Sequence, residues 1–282
     1  MSARGAATSS AAAPSTRTRT DPERARRVIA QSRQAFDERY PRLKLSAAVG
    51  LICAYEEEGN IGAVLAAMPN EACGLPVTTL VIVDGGADRT DEVAFDAGAI
   101  TFVLSENLGH GYALRVGYSL CVELGAQYVV TLDADGQNDP HEIPTMLAPL
   151  IDDSADFVLA SRRLGRDTTT DRFRKVGVLF FSWIMSAMGG TKLTDSSNGY
   201  RALRVLMLDD VVHRLTQAQY QTAELLITCM KRGWRVVERP TVWLPRSSGT
   251  TKKGRNVWFG LHYGQVVLGT WWRERRTSAV SG

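Results

Sequence analysis

The sequence predicts an α/β fold, a mostly parallel sheet flanked by helices with an amphipathic C-terminal helix behind it. Three observations predict it. Short apolar, β-prone runs alternate with amphipathic stretches through the first half of the chain, the order that builds parallel strands with right-handed crossovers. Two of those runs stop abruptly on acids, at Asp84 and at Asp133. A chain of 282 residues, 44% hydrophobic and 22% charged, can bury one large core.

Residues 1–20 are rich in Ser, Thr, Ala and Arg without a hydrophobic centre, which predicts a disordered tail and no secretory signal. Residues 21–44 form a helical lead-in, with Val28, Ile29, Phe36 and Tyr40 near helical spacing and Pro41 as its stop. The main domain is expected over 45–245. Its strands are read at 45–54, 79–83, 100–104 and 128–132, and then at 157–160, where Ser161, Arg162 and Arg163 end the run, and 234–244. Helices are read after Asn60, with Ile61, Val64, Leu65 and Met68 on one face, and at 88–97. Further helices fall at 138–151, opening after Pro140, at 172–188 and at 219–231. The Gly-rich turn ENLGHG enters another helix. It lacks the Gly-Lys-Ser/Thr of a P-loop, and Leu114 stands where a dinucleotide fingerprint needs its third Gly. Residues 195–203, DSSNGYRAL, form a turn leading into a strand or helix. Residues 246–282 hold a basic loop and the amphipathic final helix.

Residues 128–137, YVVTLDADGQ, concentrate the chemistry. A buried parallel strand ends at Asp133 and Asp135, with Gln137 two residues on, and ligands of open α/β sheets collect at that carboxyl edge. Two carboxylates and an amide are hard oxygen donors suited to Mg²⁺ or Mn²⁺ carrying a diphosphate. A calcium loop is excluded because Asn138 and Pro144 occupy its required Gly and Glu positions. His141 has no second His at zinc-helix spacing, and Cys53, Cys73, Cys121 and Cys229 are scattered without paired spacing, three of them in apolar contexts that suit buried thiols of a reducing compartment.

Net charge is only +3, but its distribution is uneven. Six basic residues between Arg162 and Lys175 face only Asp167 and Asp171. Such clusters favour an anionic partner, a phosphate or a lipid surface. Nucleic acid is not expected, since no helix-turn-helix, zinc or RNA-binding motif is present. No apolar run is long enough to span a bilayer. Basic residues beside Phe180, Phe181 and Trp183 describe either a core helix or one lying in a membrane interface.

Taken in order, AYEEEGNI, VDGGADRT, NLGHGYALR, LDADGQNDPHEIP, ASRR, DSSNGYRA, AELLI and SGTTKKG resemble the family 2 glycosyltransferases, in their polyprenyl-phosphate, dolichyl-phosphate mannose synthase-like branch. The resemblance implies a GT-A fold, a UDP- or GDP-linked sugar donor, Mg²⁺ or Mn²⁺, and inverting transfer to a polyprenyl phosphate. It implies that Asp84 and Glu56 hold the base or ribose, and that Asp133 faces the ribose and diphosphate. Asp135 would ligate the metal with Asp133 and Gln137. Arg162 and Arg174 would hold the acceptor phosphate, and Arg201 with Lys252 or Lys253 would close over the phosphates. A cytoplasmic enzyme, peripheral on the inner face of the cell membrane, is expected. Two features depart from the family pattern: Gly85 where a second acid is usual, and Asn198 where Ser is common. A lipid phosphate needs no general base, whereas a soluble hydroxyl acceptor, the alternative, would need one, and Glu224 is the acid on offer. A catalytically silent donor-binding module is disfavoured by the intact Asp133, Asp135 and Gln137. A nucleotidyltransferase would open with a Gly-rich basic loop where this chain has YEEEGN.

Overall fold

Residues 21–167, 172–245 and 257–280 are described by the computed structural model. In the middle of its sheet lies β1 (Ala48–Ala54), flanked in parallel by β3 (Leu75–Val83) and β5 (Tyr128–Asp133). Also on β3 are β4 (Ile100–Val103), in parallel, and the two-residue β2 (Glu71–Ala72), in a short hairpin. Beyond β5 the direction reverses. There β7 (Arg201–Arg204) pairs antiparallel with both β5 and β6 (Phe157–Asp167), and β8 (Val236–Trp243) runs parallel to β6.

Side-chain alternation explains why these strands read as continuous apolar runs. Val49, Leu51, Leu80, Ile82 and Val129 are buried on one face, and Ile52, Val81, Val83, Val130 and Leu132 on the other. The first face is covered by α1 (Pro22–Arg39), α4 (His110–Glu123), α7 (Val205–Val211), α8 (Gln221–Lys231) and α9 (Val257–Val280), and α6 (Arg172–Gly189) joins it through Met185. The second is covered by α2 (Glu58–Ala66), α3 (Thr90–Asp96) and α5 (Ile143–Ile151).

The lead-in helix forms where expected. Asp21 caps α1 by accepting from the Glu23 N–H at 3.1 Å, Pro22 opens its first turn, and Phe36 packs on Phe102 of β4 with ring centroids 5.3 Å apart. It thereby shares the core of the main domain.

Two differences from the sequence reading stand out. Strand β6 does not end at Ala160 but continues through Ser161, Arg162 and Arg163 to Asp167. The extension is held by β8, where Arg166 pairs with Val242 and Asp167 with Trp243 after a register shift. A polar stretch of this kind reads as a turn until its distant partner strand is known. The second difference is the β2 hairpin, which extends β3 back to Leu75.

Helix α9 distributes its polarity in an unexpected way. Thr270 and Glu274 are buried with Tyr263 and Val267, whereas Leu268 and Trp272 are exposed. No described helix is long and apolar enough to cross a membrane.

Candidate active site

Parallel pairing of β3, β1 and β5 brings the acids to one edge. Asp133 is the last residue of β5 and Asp84 the first after β3, with β1 between them; Cys53 of β1 pairs with Asp133 and Ala54 with Val83. Burial, with Asp84 and Asp133 nearby, raises the Cys53 thiol well above its usual range, so it stays neutral beneath the acids.

Asp84 is 3% exposed and accepts from the Leu108 and Gly109 N–H groups at 2.8 and 2.9 Å, so it also fixes the entry of α4. The neighbouring Gly85 sits at φ +67, and a Cβ there would lie 2.6 Å from the Asn107 nitrogen. No acidic side chain fits at 85 in this turn, which accounts for the missing second acid. Glu56, after β1, is exposed and holds φ 51, a left-handed conformation rare outside Gly and concentrated at functional sites. The two loops are tied together where the Glu57 N–H donates to the Thr90 hydroxyl at 2.9 Å and the Glu58 N–H to Asp88 at 3.1 Å.

Asp133 and Asp135 are half-buried. The Asp133 N–H donates to Asn138 Oδ1 at 2.9 Å, closing the turn, and the Gln137 N–H donates to Asp135 Oδ1 at 3.1 Å. Turned to satisfy both its ends, the Gln137 amide donates to Asp135 Oδ2 at 3.0 Å and accepts from the Trp243 indole N–H at 2.9 Å. Gly199 lies against Asp133: the Thr131 hydroxyl donates to its carbonyl at 2.8 Å, and a Cβ at 199 would stand 3.2 Å from Asp133 Oδ1. Among the described residues no three His, Cys, Asp or Glu side chains form a metal cage. The two carboxylates fit a hard divalent ion that keeps water and substrate phosphates as its other ligands, while the Gln137 amide, its oxygen given to Trp243 and its NH₂ to Asp135, orients Asp135.

Arg162 adjoins this turn through Trp243, its guanidinium carbon 4.9 Å from the indole centroid. It is 5% exposed and pairs bidentately with the equally buried Asp195, Nε to Oδ2 at 2.6 Å and Nη2 to Oδ1 at 2.7 Å. Asp195 is itself seated by Glu238 of β8, which accepts from the Thr194 and Asp195 N–H groups at 2.9 Å. Sequence reasoning missed Asp195, Glu238, Gly199 and Trp243; the only local hint was an acid inside the DSSNGY turn and another inside a strand.

Two predicted site residues lie inside the protein. Arg201 is fully buried, and its guanidinium donates to the Asn198 carbonyl at 2.8 Å and the Thr222 carbonyl at 2.6 Å, binding the 196–199 loop to α8. Desolvation lowers its pKa, though Arg keeps its charge. Glu224 is fully buried on α8 and accepts from the Thr216 and Gln217 N–H groups, the Thr216 hydroxyl and Arg273 of α9, all at 2.9–3.0 Å. Lys252, Lys253 and the side chain of Arg174 lie outside the described residues.

The family model for glycosyl transferase family 2 matches residues 51–212, the span from β1 to the end of α7 that builds this edge. The chain belongs to glycosyl transferase family 2. Among relatives of this glycosyltransferase is a dolichyl-phosphate hexose transferase of Haloferax volcanii, 32% identical over 70% of this chain and 82% of that one. A UDP-N-acetylglucosamine–dolichyl-phosphate N-acetylglucosaminyltransferase of Methanococcus voltae is 34% identical over 55% of this chain and 62% of that one. In fold it resembles glucosyl-3-phosphoglycerate synthase of Mycobacterium tuberculosis, crystallised with Mn²⁺, UDP and phosphoglyceric acid. That likeness has a TM-score of 0.61 at 16% identity and covers 87% of this chain and 82% of the synthase. The fold of this glycosyltransferase is therefore the GT-A fold.

Because Gly199 abuts the Asp133 carboxylate, Gly199→Ala is expected to displace that carboxylate by a few tenths of an ångström. Activity (kcat/KM for the sugar donor) should fall roughly tenfold while the melting temperature changes little, measured by steady-state kinetics beside a thermal melt.

Proposed function

We propose that this glycosyltransferase moves a sugar, with inversion at the anomeric carbon, from a nucleotide-diphosphate sugar to a polyprenyl phosphate at a membrane surface. One juxtaposition carries the reading. The acid pair ending β5 is joined through Gln137 and Trp243 to a buried arginine, and the strand bearing that arginine precedes a helix with an exposed apolar stripe. Val176, Leu179, Phe180 and Trp183 of α6 stand at helical spacing with 64%, 40%, 55% and 67% of their surface exposed. Such a stripe beside the basic entry at Arg172, Arg174 and Lys175 is what an interfacial helix presents to anionic lipid. The names of the two archaeal relatives support the same acceptor class.

In this reading Asp84 and Glu56 bound the base and ribose end of the donor, which is UDP- or GDP-linked, and Asp133 faces its diphosphate. Asp133 and Asp135, the latter oriented by Gln137, would hold Mg²⁺ or Mn²⁺, which when bound supplies positive charge to the departing diphosphate. Arg162, with Arg174, Lys252 and Lys253, holds the acceptor phosphate. A phosphate oxygen of the lipid attacks the anomeric carbon as the bond from that carbon to the nucleoside diphosphate breaks. The attacking phosphate is already ionised at neutral pH, so no proton has to be removed and no general base is required.

Glu224 accords with this chemistry, since its carboxylate is occupied in ordering the 216–217 loop against α9. Arg201 works the same way as a positioning residue, ordering the loop that carries Gly199. The enzyme would work from the cytoplasm, held on the inner face of the membrane through α6.

The decisive assay supplies purified protein with Mg²⁺ or Mn²⁺ and labelled UDP- and GDP-sugars, with and without polyprenyl phosphate in detergent. Label should pass into the organic phase, and Asp135→Ala should reduce that transfer by at least ~10²-fold. Metal-dependent donor hydrolysis without lipid product would sink the proposal. Glu224→Gln should destabilise the fold by about 3 kcal/mol in a denaturant titration, through loss of the buried pair with Arg273. Turnover per folded molecule should stay within about threefold, whereas loss of a true base would cost ~10²–10⁴-fold. Replacing both Phe180 and Trp183 by Ser should weaken co-sedimentation with anionic vesicles by tenfold or more, on the order of the transfer energy of two large apolar side chains.

A further inference from the structure

Trp243 is the last residue of β8 and is 3% exposed. The reading above uses this residue only as the link between the acid turn and Arg162, yet both ends of its side chain are engaged. On the donor side, with the Gln137 amide turned to satisfy both its ends, its Oε1 accepts from the indole N–H at 2.9 Å. An indole nitrogen can only donate, so it dictates which end of the Gln137 amide faces it. The NH₂ group must then turn to Asp135, reaching Oδ2 at 3.0 Å, while the Gln137 backbone N–H holds Oδ1 at 3.1 Å. Both carboxylate oxygens of Asp135 are thus gripped by one residue whose orientation Trp243 selects. Backbone pairing reinforces the contact, since the Leu244 N–H donates to the Gln137 carbonyl at 3.0 Å. On the acceptor side, Arg162 lies over the indole, 4.9 Å from its centroid. The guanidinium is clamped there by Asp195, which hangs from Glu238 of the same strand.

We propose that Trp243 is a positioning residue shared by the two substrates, its N–H setting Gln137 and through it Asp135, and its ring seating Arg162. This rests on the roles given above to Asp135 on the donor side and Arg162 on the acceptor side. The two functions belong to different parts of one side chain and can be separated by substitution. Phenylalanine keeps a ring beneath Arg162 and loses the N–H. Leucine loses both.

The experiment measures binding and so does not depend on turnover. Mn²⁺ binding in the presence of UDP is followed by the electron paramagnetic resonance of the free ion, and binding of a water-soluble short-chain prenyl phosphate by calorimetry. Thermal melts confirm that each variant is folded. Trp243→Phe should weaken Mn²⁺ about tenfold, the loss expected for one hydrogen bond in a chain ending on a charged group, and leave prenyl phosphate affinity within about twofold. Trp243→Leu should weaken Mn²⁺ to the same degree and prenyl phosphate by a further three- to tenfold or so. In a Gln137→Ala background, Trp243→Phe should have no additional effect on Mn²⁺. The proposal is overturned if Trp243→Phe binds Mn²⁺ like the unsubstituted protein, if its effect persists without Gln137, or if Phe and Leu at 243 affect prenyl phosphate equally. Unsubstituted protein that binds both probes but transfers no sugar would refute the proposed reaction while leaving this assignment standing.

Discussion

A guanidinium almost wholly removed from water must be answered by a charge that is equally buried, and around Arg162 this requirement organises half of the molecule. Asp195 provides the answer with both its oxygens. It can do so only because Glu238 holds the backbone of residues 194 and 195. Glu238 in turn belongs to β8, which continues alongside β6 past the register shift and delivers Trp243 to the other side of the guanidinium. Removing Asp195 would leave the guanidinium buried and uncompensated, an outcome far costlier than the net value of the pair. The antiparallel half of the sheet therefore works as a bracket for one cation, as the parallel half works as a shelf for two acids.

The parallel half was the more legible in the sequence, for a physical reason. Strands buried on both faces are written as unbroken apolar runs, and the acids that terminate them mark the carboxyl edge without any knowledge of partners. Asp84 and Asp133 could thus be placed together from local pattern alone. The other half depends on contacts distant in sequence. The extension of β6, SRRLGRD, looks like a turn and becomes a strand only because β8 lies beside it. Likewise nothing local distinguishes an arginine paired with a buried carboxylate from one spent on carbonyls. Arg162 and Arg201 sit in motifs of similar appearance, yet Arg201 is fully enclosed by the 196–199 loop and α8. For Glu224 the sequence offered an acid available as a base, and only the arrival of Arg273 from α9 identifies its charged partner.

The matched family region, 51–212, coincides with the shelf and ends before α8, β8 and α9. What lies beyond it is the bracket's outer arm and the helix that neutralises Glu224. The acids of the carboxyl edge thus lie inside the matched region together with Gln137, Arg162 and Asp195, and β8 reaches them from outside it with Glu238 and Trp243.

The pairing of Glu224 with Arg273 also has a bearing on how the protein matures. The two residues are 49 positions apart, so a ribosome that has released α8 has not yet released the cation that Glu224 needs. Domains fold as they emerge, N-terminal parts first, and the β1–β5 shelf can assemble while α9 is still inside the exit tunnel. During that interval the inner face of α8 carries a carboxylate that burial would penalise, and the 216–217 loop that depends on it stays open to water. Closure of that side consequently follows assembly of the edge that carries Asp84 and Asp133.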